Sequence, residues 1–369
     1  MDGIIIPQQI NRIMNLIKLK QFLKNLDDRI FYQVLGRILT SCKPDTLSSI
    51  SLDISSKCNL KCKMCSLEKW YPKERSKTMS LDTIMTLKSV LPYVTHVSLQ
   101  CNCEPLLNKD IIGIIEWIMN QNNNIEISMV TNGTLLNKAL CTGLLKSGIK
   151  KICISLDGAT ARTYENIRRG SNFQTVINNI KELIFQKDSS INSNLINIEL
   201  IAVAMKENLH ELTDILRLAN DFNINTLTIN GLEPYTEEMV SQVLYSPKPS
   251  EKYEHIFKTL ESDAKNYNLN INLPQLKIQD YHFCHLSGVV ISSDGTVHPC
   301  APLSYKRPYF YTDGRRLEHP EICFGNVNEI PIMDIWNSIE YRIFRHRLRI
   351  GMFPRFCKHC LLKNQVICP

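Results

Sequence analysis

The chain has 369 residues, 44% of them hydrophobic, which is enough for two domains or for one large barrel with additions. Its formal net charge of +7, with 21% charged residues, is lower than a dedicated nucleic-acid-binding protein usually carries, so the composition does not favour nucleic acid as a partner. Its 14 cysteines fall mainly within residues 58–65, 101–103 and 284–368. This grouping indicates metal ligation in a reducing compartment rather than the disulfide framework of a small secreted protein.

The N-terminal residues are predicted to be helical. Residues 8–41 alternate apolar and basic side chains at helical spacing, which indicates one or two amphipathic helices. A helix packed on the main domain is favoured over a membrane-surface helix. The start of the chain lacks the features of a signal peptide, and no apolar run reaches the length of a membrane span. We therefore expect a helical segment over residues 1–48 and a cytoplasmic location.

From residue 49 to about residue 232, strand-like apolar runs alternate with amphipathic helical segments. Strands are predicted at Ser49–Ser56, His96–Gln100, Ile125–Val130, Lys151–Leu156, Ile196–Met205 and Thr226–Ile229. Their Val, Ile and Leu content is typical of buried parallel strands, and serial βα units build a parallel sheet that is either open or curled into a barrel. Ser80 is predicted as a helix N-cap and Gly148 as a helix C-cap. In such folds the functional residues gather at the carboxyl ends of the strands.

A short loop directly after the first predicted strand carries Cys58, Cys62 and Cys65 at C-x3-C-x2-C spacing. Three thiolates on one tight loop can hold three irons of a cubane cluster and leave the fourth iron open to a ligand. The alternatives are a zinc loop or three unrelated buried thiols, although a zinc loop normally offers its ligands in pairs. The spacing resembles the signature of the radical S-adenosylmethionine (SAM) enzymes. In that family the open iron chelates the amino and carboxylate groups of SAM.

Later segments resemble the same family. Glu104 to Asn108 are similar to the family segment Gly-Gly-Glu-Pro-Leu-Leu-Asn, with Asn102 and Cys103 in place of the two glycines. Thr131-Asn132-Gly133 and Ser155-Leu156-Asp157-Gly158 resemble segments that close the third and fourth strands of these enzymes, although both are also ordinary turn sequences. The resemblance implies a SAM site formed by Met64, Cys103, Glu104, Asn132, Ser155, Asp157 and Arg168.

The resemblance implies roles for most of these residues. Glu104 is expected to meet the SAM amino group, and Arg168 the SAM carboxylate, which suits a planar guanidinium. Polar side chains at the third and fourth strand ends are expected to reach the ribose hydroxyls and the carboxylate. Met64 stands where relatives often have an aromatic residue, and it can cover the adenine with apolar surface.

From residue 276 onward the pattern changes. Residues 289–297 contain an Asp-Gly turn between two apolar runs, which predicts a β-hairpin. Cys284 precedes the hairpin, Cys300 follows it, and Cys357 and Cys360 form a later pair. This arrangement resembles the SPASM/twitch region of many radical SAM enzymes. It implies one auxiliary [4Fe–4S] cluster held by these four cysteines, with a structural zinc as the alternative.

The sequence thus predicts an α/β protein, and the resemblance implies a partial (β/α)6 TIM-like barrel at residues 49–275, preceded by N-terminal helices and followed by a small α+β SPASM/twitch domain at residues 276–369. The resemblance implies reductive cleavage of SAM to a 5′-deoxyadenosyl radical, which abstracts hydrogen from a substrate carbon, with a reductant such as flavodoxin or ferredoxin. We expect oxidation or epimerisation of a small metabolite such as a sugar or an aminocyclitol. A peptide-modifying maturase, an RNA-modifying enzyme and a non-catalytic metal scaffold are the alternatives.

The remaining cysteines are divided by position. Candidate hydrogen donors are Cys101, Cys103 and Cys323, although Cys101 and Cys103 are alternatively small buried residues. Cys368 is a spare ligand, a functional thiol or part of a frayed terminus. Cys42, Cys141 and Cys153 are predicted to lie in the core. No catalytic side chain is assigned from the sequence.

Overall fold

The structure is a computed structural model that describes residues 45–71, 77–99, 103–189, 196–278, 284, 286–358 and 360. The predicted N-terminal helices, together with Cys42, Cys101, Asn102 and Cys368, lie outside the described residues. None of the helices in the described ranges is long and apolar enough to cross a membrane.

A single mixed sheet organises the described part of the chain. Its strands are β1 (Ser49–Leu52), β2 (His96–Ser98), β3 (Glu126–Thr131), β4 (Lys151–Ser155), β5 (Asn197–Ala204), β6 (Thr226–Gly231), β7 (Asn270–Asn272), β8 (Gly288–Ile291) and β9 (Val297–His298). Their order is β7-β6-β5-β4-β3-β2-β1-β8-β9. Every neighbouring pair is parallel except β8 and β9, which are antiparallel. The six predicted strands are therefore present and follow the expected parallel order.

Helices lie between the strands in sequence and after the last of them. They are α1 (Leu67–Trp70), α2 (Leu81–Met85), α3 (Ile111–Gln121), α4 (Lys138–Lys146), α5 (Ala161–Ile167), α6 (Phe173–Asp188), α7 (Leu212–Asp221), α8 (Glu237–Val240), α9 (Glu251–Asn266), α10 (Ile332–Asn337), α11 (Ile339–Arg349) and α12 (Arg355–Lys358). Strands β10 (Arg307–Phe310) and β11 (Arg316–His319) form a separate antiparallel pair.

Alternate residues of each strand point to opposite faces of the sheet, which separates the apolar core from the polar interior. In β4, Ile152 and Ile154 belong to the main apolar core beneath the helices. Cys153 points the other way and donates to Glu199 Oε2 over 3.7 Å. Cys141 and Cys153 are both buried, as predicted.

The predicted helix ends agree with the structure. Ser80 is the N-cap of α2, and its hydroxyl accepts a hydrogen bond of 3.2 Å from the backbone N–H of Thr83. Gly148 follows α4 with φ +96°, a left-handed conformation that favours glycine. Gly295 has φ +88° in the turn between β8 and β9, as the Asp-Gly hairpin requires.

The C-terminal hairpin extends the main sheet. β8 pairs with β1 from Ser49 opposite Gly288 to Leu52 opposite Ile291. Because β8 and β9 follow Cys284 and precede Cys300, the sheet brings these cysteines near the strand that leads into the first cysteine loop. The division into segments 1–48, 49–275 and 276–369 stays a prediction.

Candidate active site

Residues from β1 to β6 and from β8, including Ser49, His96 and Gly288 at the amino ends of their strands, line one cavity of about 710 Å³ together with the C-terminal segment. The predicted site residues that line it are Cys58, Cys62, Met64, Cys65, Cys103, Glu104, Asn132, Ser155, Arg168, Cys284, Cys300, Cys357 and Cys360. Asp157 does not line it. All of the residues expected to contact SAM except Asp157 therefore share one cavity with both groups of cysteines.

Cys58, Cys62 and Cys65, which we call the first thiol set, lie on a loop that is fixed to the segment after α5. The backbone N–H of Lys61 donates to the carbonyl of Arg169, and that of Lys63 to the carbonyl of Ile167, both over 2.9 Å. The Cys58 and Cys65 sulfurs each accept a backbone N–H over 3.4 Å. These bonds hold the loop so that its thiols face the cavity.

Burial disfavours the thiolate form of the first thiol set. It raises the pKa of Cys58 and Cys65, and it raises the pKa of Cys62 to about 11. Metal binding supplies the compensating charge, because thiolates rather than thiols are the ligands. Among the described residues, no three His, Cys, Asp or Glu side chains are grouped as they would be around a single metal ion.

Glu104 is buried, with 2% of its surface exposed, and its carboxylate joins the loops after β2 and β3. It accepts hydrogen bonds from Leu106 N (3.1 Å), Thr131 Oγ1 (2.7 Å) and Asn132 N (2.8 Å). Burial raises the pKa of Glu104, although these hydrogen bonds oppose the shift. Glu104 thus organises the strand ends as well as lining the cavity, and its expected contact with the SAM amino group stays a prediction.

Asn132 connects the third strand end to the first cysteine loop. Its Nδ2 donates to Asn59 Oδ1 over 2.9 Å and lies 4.0 Å from Cys58 Sγ. Its Oδ1 accepts from Thr134 N over 2.9 Å. The side chain is therefore held on both sides at the edge of the cavity.

Arg168 and Asp157 form a buried ion pair after β4. Arg168 Nε donates to Asp157 Oδ2 over 2.7 Å, and the backbone N–H of Val203 donates to Asp157 Oδ1 over 2.6 Å. Burial alone would lower the pKa of Arg168, but the attraction of Asp157 outweighs it and the pKa is raised. Asp157 is 0% exposed and lies behind Arg168, so the structure gives it the role of holding the guanidinium at the cavity wall. The sequence motif did not distinguish this position from a direct contact.

The remaining predicted SAM contacts differ in burial. Met64 is half-buried and packs in an apolar cluster with Ile167 and Leu232. Ser155 ends β4 and is 7% exposed, and Cys103 is half-buried. All three have a surface on the cavity.

Cys284, Cys300, Cys357 and Cys360, which we call the second thiol set, line another part of the cavity. Burial raises the pKa of Cys300 well above its ordinary value, and negative charge on the other three members raises it further. The other three thiols therefore disfavour the thiolate form of Cys300. By contrast, Cys323 is exposed and lies outside the cavity lining.

A buried arginine that the sequence reasoning missed connects the two thiol sets. Arg307 Nη1 donates to Ser66 Oγ (3.2 Å) and Tyr305 Oη (2.8 Å), and its Nη2 donates to the carbonyl of Ala301 (3.2 Å). Ser66 follows Cys65 and Ala301 follows Cys300 in sequence. The guanidinium therefore bonds to the neighbour of one cysteine in each set. No local sequence signal marks it, because its partners are up to 241 residues away.

Two family models match the chain. The radical SAM superfamily model matches residues 52–219, and the SPASM model, described as an iron–sulfur cluster-binding domain, matches residues 283–361. Together they cover more than half of the 369 residues.

Similar proteins have several different names. The tungsten-containing aldehyde ferredoxin oxidoreductase cofactor-modifying protein of Pyrococcus furiosus is 26% identical over 323 residues, covering 85% of this chain and 87% of the relative. A probable GTP 3′,8-cyclase of Methanocaldococcus jannaschii is 27% identical over 263 residues, covering 69% of this chain and 85% of the relative.

Solved structures share the fold at low sequence identity. Streptococcus suis SuiB bound to S-adenosylmethionine has a TM-score of 0.60 and 16% identity, covering 91% of this chain and 78% of SuiB. Native anSMEcpe with bound AdoMet has a TM-score of 0.56 and 18% identity, covering 86% of this chain and 87% of anSMEcpe. The expected partial-barrel fold with a small C-terminal domain is confirmed. The chain belongs to the radical SAM superfamily and carries a C-terminal SPASM domain, so its cofactors are a [4Fe–4S] cluster with SAM and auxiliary iron–sulfur.

Proposed function

We propose that this protein oxidises a small molecule by radical SAM chemistry, with the substrate bound between two iron–sulfur clusters. One observation carries the proposal: both thiol sets line the same cavity. A substrate in that cavity can face the site of hydrogen abstraction on one side and an electron acceptor on the other. This arrangement favours net oxidation over epimerisation, which needs a returning hydrogen donor.

The residues present fit the two clusters. The first thiol set offers three thiols from one loop, which leaves one iron of a cubane for SAM, and the second offers four. Both sets are desolvated enough to raise thiol pKa values, so cationic iron would stabilise them as thiolates. When bound, the first cluster and SAM supply a 5′-deoxyadenosyl radical, and the auxiliary cluster supplies an electron acceptor.

The protein's own groups would orient SAM. Arg168 presents a guanidinium at the cavity wall, and because its Nε edge is occupied by Asp157, its position is fixed before SAM binds. Asn132 is held beside Cys58 and can hydrogen-bond a ligand of the adjacent iron. The apolar side chains of Met64 and Val203 limit water at the same wall.

The ends of β5 and β6 form the wall that we assign to the substrate. Ile201 and Val203 are apolar, whereas Asn230 and Glu233 are acceptors that line the cavity. Asn230 Oδ1 is buried, and no described residue donates a hydrogen bond to it. Since a buried acceptor without a donor is costly, a substrate hydroxyl or amino group is the natural partner. This supports a polar small molecule that carries hydrogen-bond donors.

A peptide substrate is the second candidate. It is supported by fold neighbours whose structures were solved with peptides, namely SuiB bound to precursor peptide SuiA and anSMEcpe with the Cp18Cys peptide. The name of the Pyrococcus furiosus relative, which describes a cofactor-modifying protein, favours the small-molecule candidate instead.

The first test counts iron and acid-labile sulfide after anaerobic reconstitution. We expect about eight irons per chain, falling to about four in a Cys58/Cys62/Cys65→Ala variant and to about four in Cys357→Ala. About four irons in the wild type and none in the triple variant would refute the second cluster and with it the oxidation mechanism.

The second test measures 5′-deoxyadenosine formed from SAM and dithionite. The low-molecular-mass filtrate of an extract from the source cells is compared with its peptide fraction. Stimulation by the filtrate alone supports the small-molecule proposal. Stimulation by the peptide fraction alone would refute it in favour of the peptide candidate.

A further inference from the structure

Helix α11 forms the wall of the cavity beside the second thiol set. Its residues that line the cavity are Tyr341, Phe344, Arg345 and Leu348. Their i, i+3, i+4 and i+7 spacing puts them on one face of the helix. Phe344 and Leu348 pack in the apolar cluster that surrounds three members of the second thiol set. The two polar members of this face are therefore held next to the predicted auxiliary cluster.

Arg345 is almost completely buried, with 2% of its surface exposed, yet most of its donors have no acceptor among the described residues. Its Nε donates to Asp45 Oδ2 over 3.2 Å, and its guanidinium carbon lies 3.6 Å from the centroid of the Trp336 ring. Neither Nη1 nor Nη2 has a hydrogen-bond partner among the described residues. Nε of Arg345 therefore has a hydrogen-bond acceptor, whereas Nη1 and Nη2, which carry four of the five N–H groups, have none among the described residues.

The hydroxyl of Tyr341 shares this condition. It is buried, and it has no hydrogen-bond partner in the described part of the chain. Its ring is fixed by stacking on Phe324 at 4.0 Å and lies 4.6 Å from the Arg345 guanidinium carbon. Burial raises the pKa of Tyr341, although the positive charge of Arg345 opposes the shift.

Unsatisfied buried donors are expensive, and those of a cation especially so. The cavity-lining groups that can accept such hydrogen bonds include the hydroxyls of Ser48 and Ser49 and the sulfur atoms of the second thiol set, which become anionic when they bind iron. Hydrogen bonds to such sulfurs orient the ligands and make the cluster easier to reduce.

We propose that Arg345 and Tyr341 donate hydrogen bonds to the sulfur atoms of the auxiliary cluster and thereby raise its reduction potential. The inference rests on the proposed function, because it requires a cluster on the second thiol set. One-electron reduction adds one negative charge to the site, and a nearby guanidinium stabilises that charge. Arg345 and Tyr341 are positioning residues here, and neither is assigned a contact with the substrate.

The competing explanation is that Arg345 only supports the fold through Asp45. The chain offers a matched control for it, because Arg349 on the same helix also bonds to Asp45, over 2.8 Å, but is half-exposed. Arg349→Gln removes a positive charge and an Asp45 contact without touching the cavity lining. An effect of burial next to the cluster is therefore separable from a general effect of charge on the helix.

The test uses the full chain with Cys58, Cys62 and Cys65 replaced by Ala, so that the auxiliary cluster is observed alone. Iron content is measured first, and about four irons per chain are expected. An iron-free parent would refute the auxiliary cluster, and hence both the proposed function and this inference, before any α11 variant is made. With the cluster present, its midpoint potential is measured by dithionite titration followed by EPR.

We expect Arg345→Gln to lower the equilibrium constant for one-electron reduction of the auxiliary cluster at least tenfold. This corresponds to a midpoint potential that is lower by about 59 mV. Tyr341→Phe should lower the midpoint potential by a smaller amount. The potential of Arg345→Lys should lie between those of the parent and Arg345→Gln, and Arg349→Gln should leave the potential unchanged. Unchanged potentials in Tyr341→Phe and both Arg345 variants would overturn the inference. If Arg345→Gln does not retain its iron, the potentials of Arg345→Lys and Tyr341→Phe are compared with that of the parent. Unchanged potentials in both variants would again overturn the inference.

Discussion

Replacing Asp157 by Asn tests whether the buried ion pair with Arg168 is what holds the cavity wall in place. Asn keeps an oxygen that can accept from the Val203 N–H, but it removes the charge that faces Arg168 Nε at 2.7 Å. Breaking a buried pair from one side costs about 3–5 kcal/mol, because the remaining charge stays desolvated. Arg168 still borders the cavity, so we expect the lower end, about 3 kcal/mol of the free energy of unfolding.

A matched control separates burial from the contact itself. Asp313 and Arg315 form the same contact, Oδ2 to Nε at 2.7 Å, but on the surface, with side chains 51% and 69% exposed. Exposed pairs contribute about 1 kcal/mol or less, so Asp313→Asn should be nearly neutral. The measurement is urea unfolding of both metal-free variants, followed by circular dichroism under anaerobic conditions. Each variant is compared with the wild type. If Asp157→Asn and Asp313→Asn lose amounts of unfolding free energy that agree within about 1 kcal/mol, the role that we give to burial is refuted.

Three further predictions concern the cysteine loop and the segment after β4. Cys58→Ala should abolish 5′-deoxyadenosine formation, and robust formation by this variant would contradict the assignment of the first cluster. Gly158→Ala should destabilise the protein by about 1–3 kcal/mol, because the new Cβ would lie 2.6 Å from the backbone N of Tyr164. Gly113→Ala is the control, since a Cβ there meets nothing within 4 Å, and equal effects on the urea midpoint would count against the steric argument. Burial would raise the pKa of Glu211, but hydrogen bonds from Thr163, Thr160 and Ala159 outweigh it and the pKa lies below its ordinary value of 4.5. A depressed folded-state pKa gives stability that is present above the unfolded value and is lost as pH falls through the folded one. The wild type should therefore be more stable than Glu211→Gln at pH 7, and the difference should shrink below about pH 4.5; a constant difference from pH 7 to pH 3 would be inconsistent with this reasoning.

The sequence predicted the parts of the fold that depend on local pattern. Strand positions follow from apolar runs, the hairpin from Asp294 and Gly295, and the helix start from Ser80. Each signal lies within a few residues of the feature that it predicts. The predicted ends were too long for the first strand, which stops at Leu52, because the pattern does not show where pairing with a neighbour ends.

The site residues were predictable where they lie close together in one short sequence motif. The cysteine spacings identify the thiol sets, and the strand-end motifs identify most of the cavity wall. Asp157 illustrates the limit: its motif marks the loop, but only the fold shows that its carboxylate faces Arg168 and Val203 rather than the cavity. Arg307 was missed for a related reason, since its contact with Ser66 joins segments that are 241 residues apart in sequence.

The sheet itself explains why the two thiol sets keep a fixed separation. β8 pairs with β1 over four residues, the loop after β1 carries the first thiol set, and the hairpin of β8 and β9 lies between Cys284 and Cys300. Arg307 then adds hydrogen bonds next to Cys65 and Cys300. Two elements joined by a sheet and by a buried guanidinium do not move independently, so the space between the thiol sets is preorganised. Differences in substrate among proteins built this way should then arise in the wall that this framework does not include, the ends of β5 and β6.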